Sequence, residues 1–163
     1  MKKHKRLKDI LSILFVCCYL YMSIWFITRT SAKPTPTYGH VFVDEVIRVY
    51  DGDSFFVNIY QWPKILGENL GVRINGIDTP ELRGSAPPIK EAGLKAKKFV
   101  EFYLAASNTI ILKNIQRGKY FRVIADVDCD GEDLGKLLIN AGLAKPYDGG
   151  TKNIWTIEDV NNL

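Results

Sequence analysis

Two short strings in this chain carry residue types that can act together: Asp51-Gly52-Asp53-Ser54, and then Arg73-Ile74-Asn75-Gly76-Ile77-Asp78-Thr79-Pro80-Glu81. A hard divalent cation needs several oxygen ligands, a phosphate needs a forked cationic donor, and hydrolysis needs a base that takes a proton from water. All three needs are met between Asp51 and Glu81, a span of 31 residues. A third string, Arg117-Gly118-Lys119-Tyr120-Phe121-Arg122, can add a second phosphate clamp. The combination points to metal-dependent hydrolysis of a nucleic-acid phosphodiester.

Each residue also has an ordinary reading. Asp51-Gly52 alone is a hairpin turn. Asp53 is harder to explain that way, because it opens a run of Phe, Val and Ile where aspartate is disfavoured. Asp78 repeats the pattern at the end of a second apolar strand, and two carboxylates at strand ends can converge on one ion. Strict alternation would put Arg73 and Asp78 on opposite faces of that strand. Gly76 between them is the place for a bulge or bend that brings both to one side. Glu81 follows as the candidate base, with Arg122 opening a later strand. Tyr120 and Tyr147 offer aromatic faces on which a nucleobase can stack.

The elements that must position these groups are short strands and two helices. Apolar and β-branched runs predict strands over 41–50 and 54–60, separated by the Asp-Gly turn, then over 72–77, 109–115 and 121–127. Pro87-Pro88 introduces a helix up to Ala106, with Ala92, Ala96, Phe99, Val100 and Tyr103 as its apolar stripe. A shorter helix runs through Leu134, Leu137, Leu138 and Ala141 and stops at Gly142. The pattern predicts a mainly β (α+β) fold, a five-stranded Greek-key barrel of the OB type with two helices.

Residues 1–32 read as a basic flank followed by a signal segment, because the 18 residues from 10 to 27 carry no charge. That length suits a retained membrane anchor, and Thr30-Ser31-Ala32 leaves a cleaved signal peptide open. In either case the remainder is exported, to the periplasm or cell surface or as a secreted protein. A Pro-rich linker spans 33–39, the globular domain 40–148, and a short tail 149–163. The formal charge of +4 misleads, since residues 1–32 hold six Lys/Arg against one Asp and leave 16 basic and 17 acidic residues beyond them. A near-neutral domain excludes a nonspecific cationic coat on nucleic acid, so the contact must be local. With Cys17 and Cys18 in the apolar segment and Cys129 alone, no disulfide forms within the domain, and neither a zinc set nor a Cys–His pair is visible.

From about Val46 to Tyr147 the chain resembles the staphylococcal-nuclease-like (thermonuclease) family. Its Asp-Gly-Asp-Thr appears as Asp51-Gly52-Asp53-Ser54, its arginine strand ending in Asp-Thr-Pro-Glu as Arg73 through Glu81, its Tyr-Gly-Arg as Tyr120-Phe121-Arg122, and its Gly-Leu-Ala as Gly142-Leu143-Ala144. The resemblance implies an OB-fold nuclease that uses Ca²⁺, cleaves DNA and RNA and leaves 3′-phosphates. It implies that Asp53, Asp78 and the Thr79 carbonyl hold calcium, that Glu81 is the base, and that Arg73 and Arg122 bind the phosphate. Three departures stand out: Ser54 for Thr, Phe121 for Gly, and a curtailed C-terminal helix. Phe121 is expected to pack into the barrel and send Arg122 to the opposite face. A monomer is expected. The rival reading is a catalytically silent, membrane-tethered nucleic-acid-binding module of the same fold.

Overall fold

A computed structural model describes residues 36–152 and 154–161, within a unit running from Pro36 to Leu163. The apolar segment over 10–27 lies outside the described residues, and among those described no helix is long and apolar enough to cross a membrane.

The main sheet is built from β1 (Val41–Phe42), β2 (Glu45–Val49), β3 (Ser54–Asn58), β4 (Leu70–Ile74), β6 (Ile110–Arg117) and β7 (Arg122–Cys129), with β8 (Glu132–Asp133) attached to β7. A separate two-stranded ladder joins β5 (Ile77–Asp78) to β9 (Lys145–Pro146). Four helices are described: α1 (Lys64–Gly67), α2 (Pro87–Ala106), α3 (Leu134–Asn140) and α4 (Ile157–Val160).

This corrects the expected five-stranded Greek-key barrel of the OB type with two helices. The six strands form a mixed half-barrel in the order β1-β6-β7-β4-β3-β2, with β1 and β2 at opposite ends of the path. The first predicted strand splits because its two halves have different neighbours. Val41 and Phe42 pair with β6, whereas Glu45 onward pairs with β3. Between them the Asp44 carboxylate accepts from Tyr60 N at 2.6 Å, turning the chain from one neighbour to the other. The two additional helices have four residues each, too few to display a helical period in sequence.

Phe55, Val57, Val72, Ile74, Leu112, Val127, Leu134 and Leu138 form the core under this sheet. Each such side chain contributes about 1.5–3 kcal/mol on burial. Strand alternation is clean on β3 and β4: Phe55 and Val57, Val72 and Ile74 point inward, so Ser54 and Arg73 point to the other face. The sheet is mixed because β4 and β7 run parallel, with Gly71 opposite Arg122 and Arg73 opposite Ile124. Arg73 and Arg122 therefore share a face.

Candidate active site

The site begins in the β2–β3 hairpin. Tyr50 N and Asp51 N both donate to Ser54 O, at 2.9 and 3.2 Å, and the Asp51 carboxylate accepts from Asp53 N at 3.2 Å. Gly52 is required by close packing: a Cβ there would lie 2.6 Å from Ala96 Cβ and 2.9 Å from Thr79 Oγ1. The hairpin tip is thereby wedged between α2 and the Thr79 segment. Asp53 follows, with Ser54 Oγ donating to its Oδ1 at 2.7 Å.

Arg73 meets Asp53 because β3 and β4 pair antiparallel with Ser54 opposite Arg73. Its Nη1 lies 2.7 Å from Asp53 Oδ2 and its Nη2 3.4 Å from Asp78 Oδ1, with Ile77 O also accepting at 3.3 Å. Asp78 reaches the same guanidinium because β4 ends at Ile74 and the chain turns through Asn75-Gly76, where Gly76 takes φ +76°. Asp53, Asp78 and Thr79 are each only 3% exposed. Two carboxylates this deeply buried need cationic or donor partners.

The C-terminal tail supplies two of them, and reading the sequence assigned it no role. Lys152 Nζ lies 2.8 Å from Asp78 Oδ1 and also donates to Glu81 Oε1. Trp155, buried, donates from Nε1 to Asp78 Oδ2 at 3.1 Å. Burial pushes the Lys152 ammonium down, and the hydrogen bonds to Asp78 and Glu81 outweigh it and hold it above its ordinary value. A signal for an ordered tail was present. Thr156-Ile157-Glu158-Asp159 matches a capping box, which forms: Asp159 N donates to Thr156 Oγ1 at 3.3 Å and Thr156 N donates to Asp159 Oδ2 at 2.7 Å. Lys145 of β9 pairs with Asp159 at 2.7 Å and lies over the Trp155 ring, 4.5 Å from its centroid, fastening the tail beside Asp78.

An open cleft of about 820 Å³ brings Arg73, Glu81, Arg122, Tyr120, Tyr147 and Lys152 together. Arg122 Nε is buried and has no hydrogen-bond partner among the described residues. Phe121 does not pack into the barrel: it is 65% exposed and, like Tyr120, has a left-handed backbone, φ +56° and +55°. The reason is positional, since β7 starts at Arg122 and Phe121 belongs to the turn, where strand alternation does not operate. Tyr120 stands at the rim, 91% exposed. The Tyr147 ring centroid is 5.7 Å from Arg73 Cζ, and its hydroxyl donates to Gly150 O at 2.8 Å.

Asp51 lines the same cleft. Burial first, then the Asp53 charge and its hydrogen bonding, and also Glu81, push its carboxyl up from 3.8 to about 7. Burial, the largest cause, disfavours the charged carboxylate, and the two neighbouring acids add to it. Among the described residues no three or more acidic, His or Cys side chains form a metal cage. Asp53 and Asp78, brought together on the Arg73 guanidinium, offer carboxylate oxygens of the donor type that a hard cation takes.

Residues 71–160 match the family described as Staphylococcal nuclease homologue. The chain belongs to that family. The match contains Arg73, Asp78, Thr79, Glu81 and Arg122, and it extends through the tail that carries Lys152 and Trp155. This nuclease-family chain is also 28% identical over 138 residues to a thermonuclease of Staphylococcus hyicus, covering 82% of this chain and 77% of that protein. Family membership supports a nuclease-type hydrolase function at the level of the superfamily.

Proposed function

We propose that this chain is an exported, calcium-dependent phosphodiesterase that hydrolyses DNA and RNA. The observation that carries the reading is the pair of buried carboxylates, Asp53 and Asp78, held by one Arg73 fork directly behind the cleft that Arg73 lines together with Glu81 and Arg122. Asp53, Asp78 and the Thr79 carbonyl would hold the ion. Calcium bound there supplies Lewis-acid charge that draws electron density from the phosphodiester.

The chain's own residues do the rest. Glu81, more than half exposed on its side chain, accepts a proton from the attacking water. Arg122 and Arg73 lie on one face of the parallel β4–β7 pair and donate to the equatorial phosphate oxygens, where charge grows in the transition state. Arg122 Nε, buried and unpartnered, would gain an acceptor when a phosphate enters. Tyr120 at the rim and Tyr147 beside Arg73 are positioned to stack on bases flanking the scissile bond. Attack by water with departure of the 5′-oxygen leaves a 3′-phosphate.

The chain acts as a monomer, with a nuclease domain that begins at about residue 40 after the 33–39 linker and takes in the tail holding Lys152 and Trp155 against Asp78, and is anchored through residues 10–27 or secreted after their removal. Oxygen ligands admit both calcium and magnesium; the family resemblance selects calcium. Hydrolysis of fluorescently labelled DNA and RNA by the purified full chain tests the proposal. Cleavage with calcium that is lost in chelator supports it. Equal cleavage in excess chelator defeats the metal assignment, and binding without cleavage identifies a silent nucleic-acid-binding module.

A further inference from the structure

We propose that Lys152 is a tethered counter-cation, and that the divalent ion enters the site by exchanging with it. The inference rests on the reading above, in which Asp78 is a ligand and Glu81 the base. Asp78 already accepts from three donors: Arg73 and Lys152 on Oδ1, Trp155 on Oδ2. They differ in kind. Trp155 is neutral and buried, and it orients the carboxylate without opposing another cation. Lys152 carries a full charge, shares Oδ1 with Arg73, and its second hydrogen bond occupies Glu81.

A divalent cation and an ammonium on one carboxylate oxygen repel each other, and because Arg73 already shares that oxygen, a third cation is seated at the expense of the more mobile one. Glu81 is in the same position, because an oxygen that accepts from an ammonium is a poor acceptor for the proton of water. Withdrawal of one side chain frees both acids at once. Lys152 is suited to that movement: its side chain is 39% exposed, whereas Arg73 is 13% exposed and lies within the sheet. Loading the site with metal and freeing the base become one event.

Calcium titration of the full chain by calorimetry separates this role from simple support of the tail. Lys152→Met keeps the apolar stem and removes the charge, and is expected to bind calcium roughly tenfold more tightly. Trp155→Phe, on the same tail, is expected to bind it more weakly, because Asp78 loses its orienting donor. A tail that merely loosened would move both variants in the same direction. In the wild type, acetylation of the Lys152 amine, read by mass spectrometry, is expected to speed up when calcium is added.

Equal or weaker calcium affinity in Lys152→Met, or an acetylation rate unmoved by calcium, overturns this inference while a wild type that binds calcium and cleaves nucleic acid keeps the functional reading. A wild type that neither binds calcium nor cleaves overturns both.

Discussion

Trp155 and Asp78 are 77 residues apart in sequence and joined by a buried hydrogen bond from indole to carboxylate. The bond ties the end of the chain to an acid at the heart of the site, so the stability of the tail and the electrostatics of the cleft are linked. Trp155→Phe preserves an aromatic ring and removes the donor. Hydrogen bonds to charged groups contribute about 1.5–3 kcal/mol, and a loss of that order is expected in urea unfolding, as a lower midpoint with an unchanged slope. An unchanged midpoint would show that the bond does not hold the tail.

Glu81→Gln keeps the shape of the side chain but cannot take a proton from water. Turnover on DNA is expected to fall at least about a hundredfold, with folding and calcium affinity largely preserved. Wild-type turnover in the variant removes Glu81 from the mechanism.

The two arginines are expected to respond differently to replacement by lysine. Arg73 spans two buried carboxylates with its fork, and a point-charge ammonium cannot do so. Arg73→Lys should therefore lose both stability and activity. Arg122, by contrast, has an unpaired Nε and, among the described residues, no carboxylate to hold. Arg122→Lys should leave the unfolding free energy in urea within about 0.5 kcal/mol of the parent and cut turnover by about tenfold or more. Near-parental turnover in Arg122→Lys would mean that one clamp suffices.

Asp51 provides a pH test. Its carboxyl is raised from 3.8 to about 7, so between those values the folded chain keeps a proton that the unfolded chain releases. Stability from this group therefore falls as pH rises from about 4 to about 7 and stays lost above that. Asp51→Asn stays neutral and can still accept from Asp53 N. In chelator, its Tm should equal the parent's below pH 4 and exceed it by about 5 °C above pH 7. An advantage that does not grow with pH would contradict the burial of this charge.

What could be read from the sequence was local. The Asp51-Gly52 turn and helices α2 and α3 follow from short-range turn chemistry and a sustained 3.6-residue period, and Gly76 marked the turn that delivers Asp78 to Arg73. What could not be read depended on distant partners. The break between β1 and β2 follows from Asp44 capping Tyr60 N, and Phe121 leaves the core because β7 begins one residue later. Lys152 and Trp155 look like ordinary tail residues until the β5–β9 ladder and the Lys145–Asp159 pair bring them to Asp78. Only the capping-box spacing hinted that the tail was ordered.

The aim of the two arginines is recorded in the β4–β7 ladder and not in the turn that precedes Arg122. A slip of one residue would exchange Arg122 for Val123 on the working face, and the buried alternation of β4 resists that slip along its whole length. The Lys119–Phe121 turn presents Tyr120 and Phe121 at the rim and does not aim the arginine. The parallel ladder acts as the ruler that sets the spacing between the two guanidinium groups.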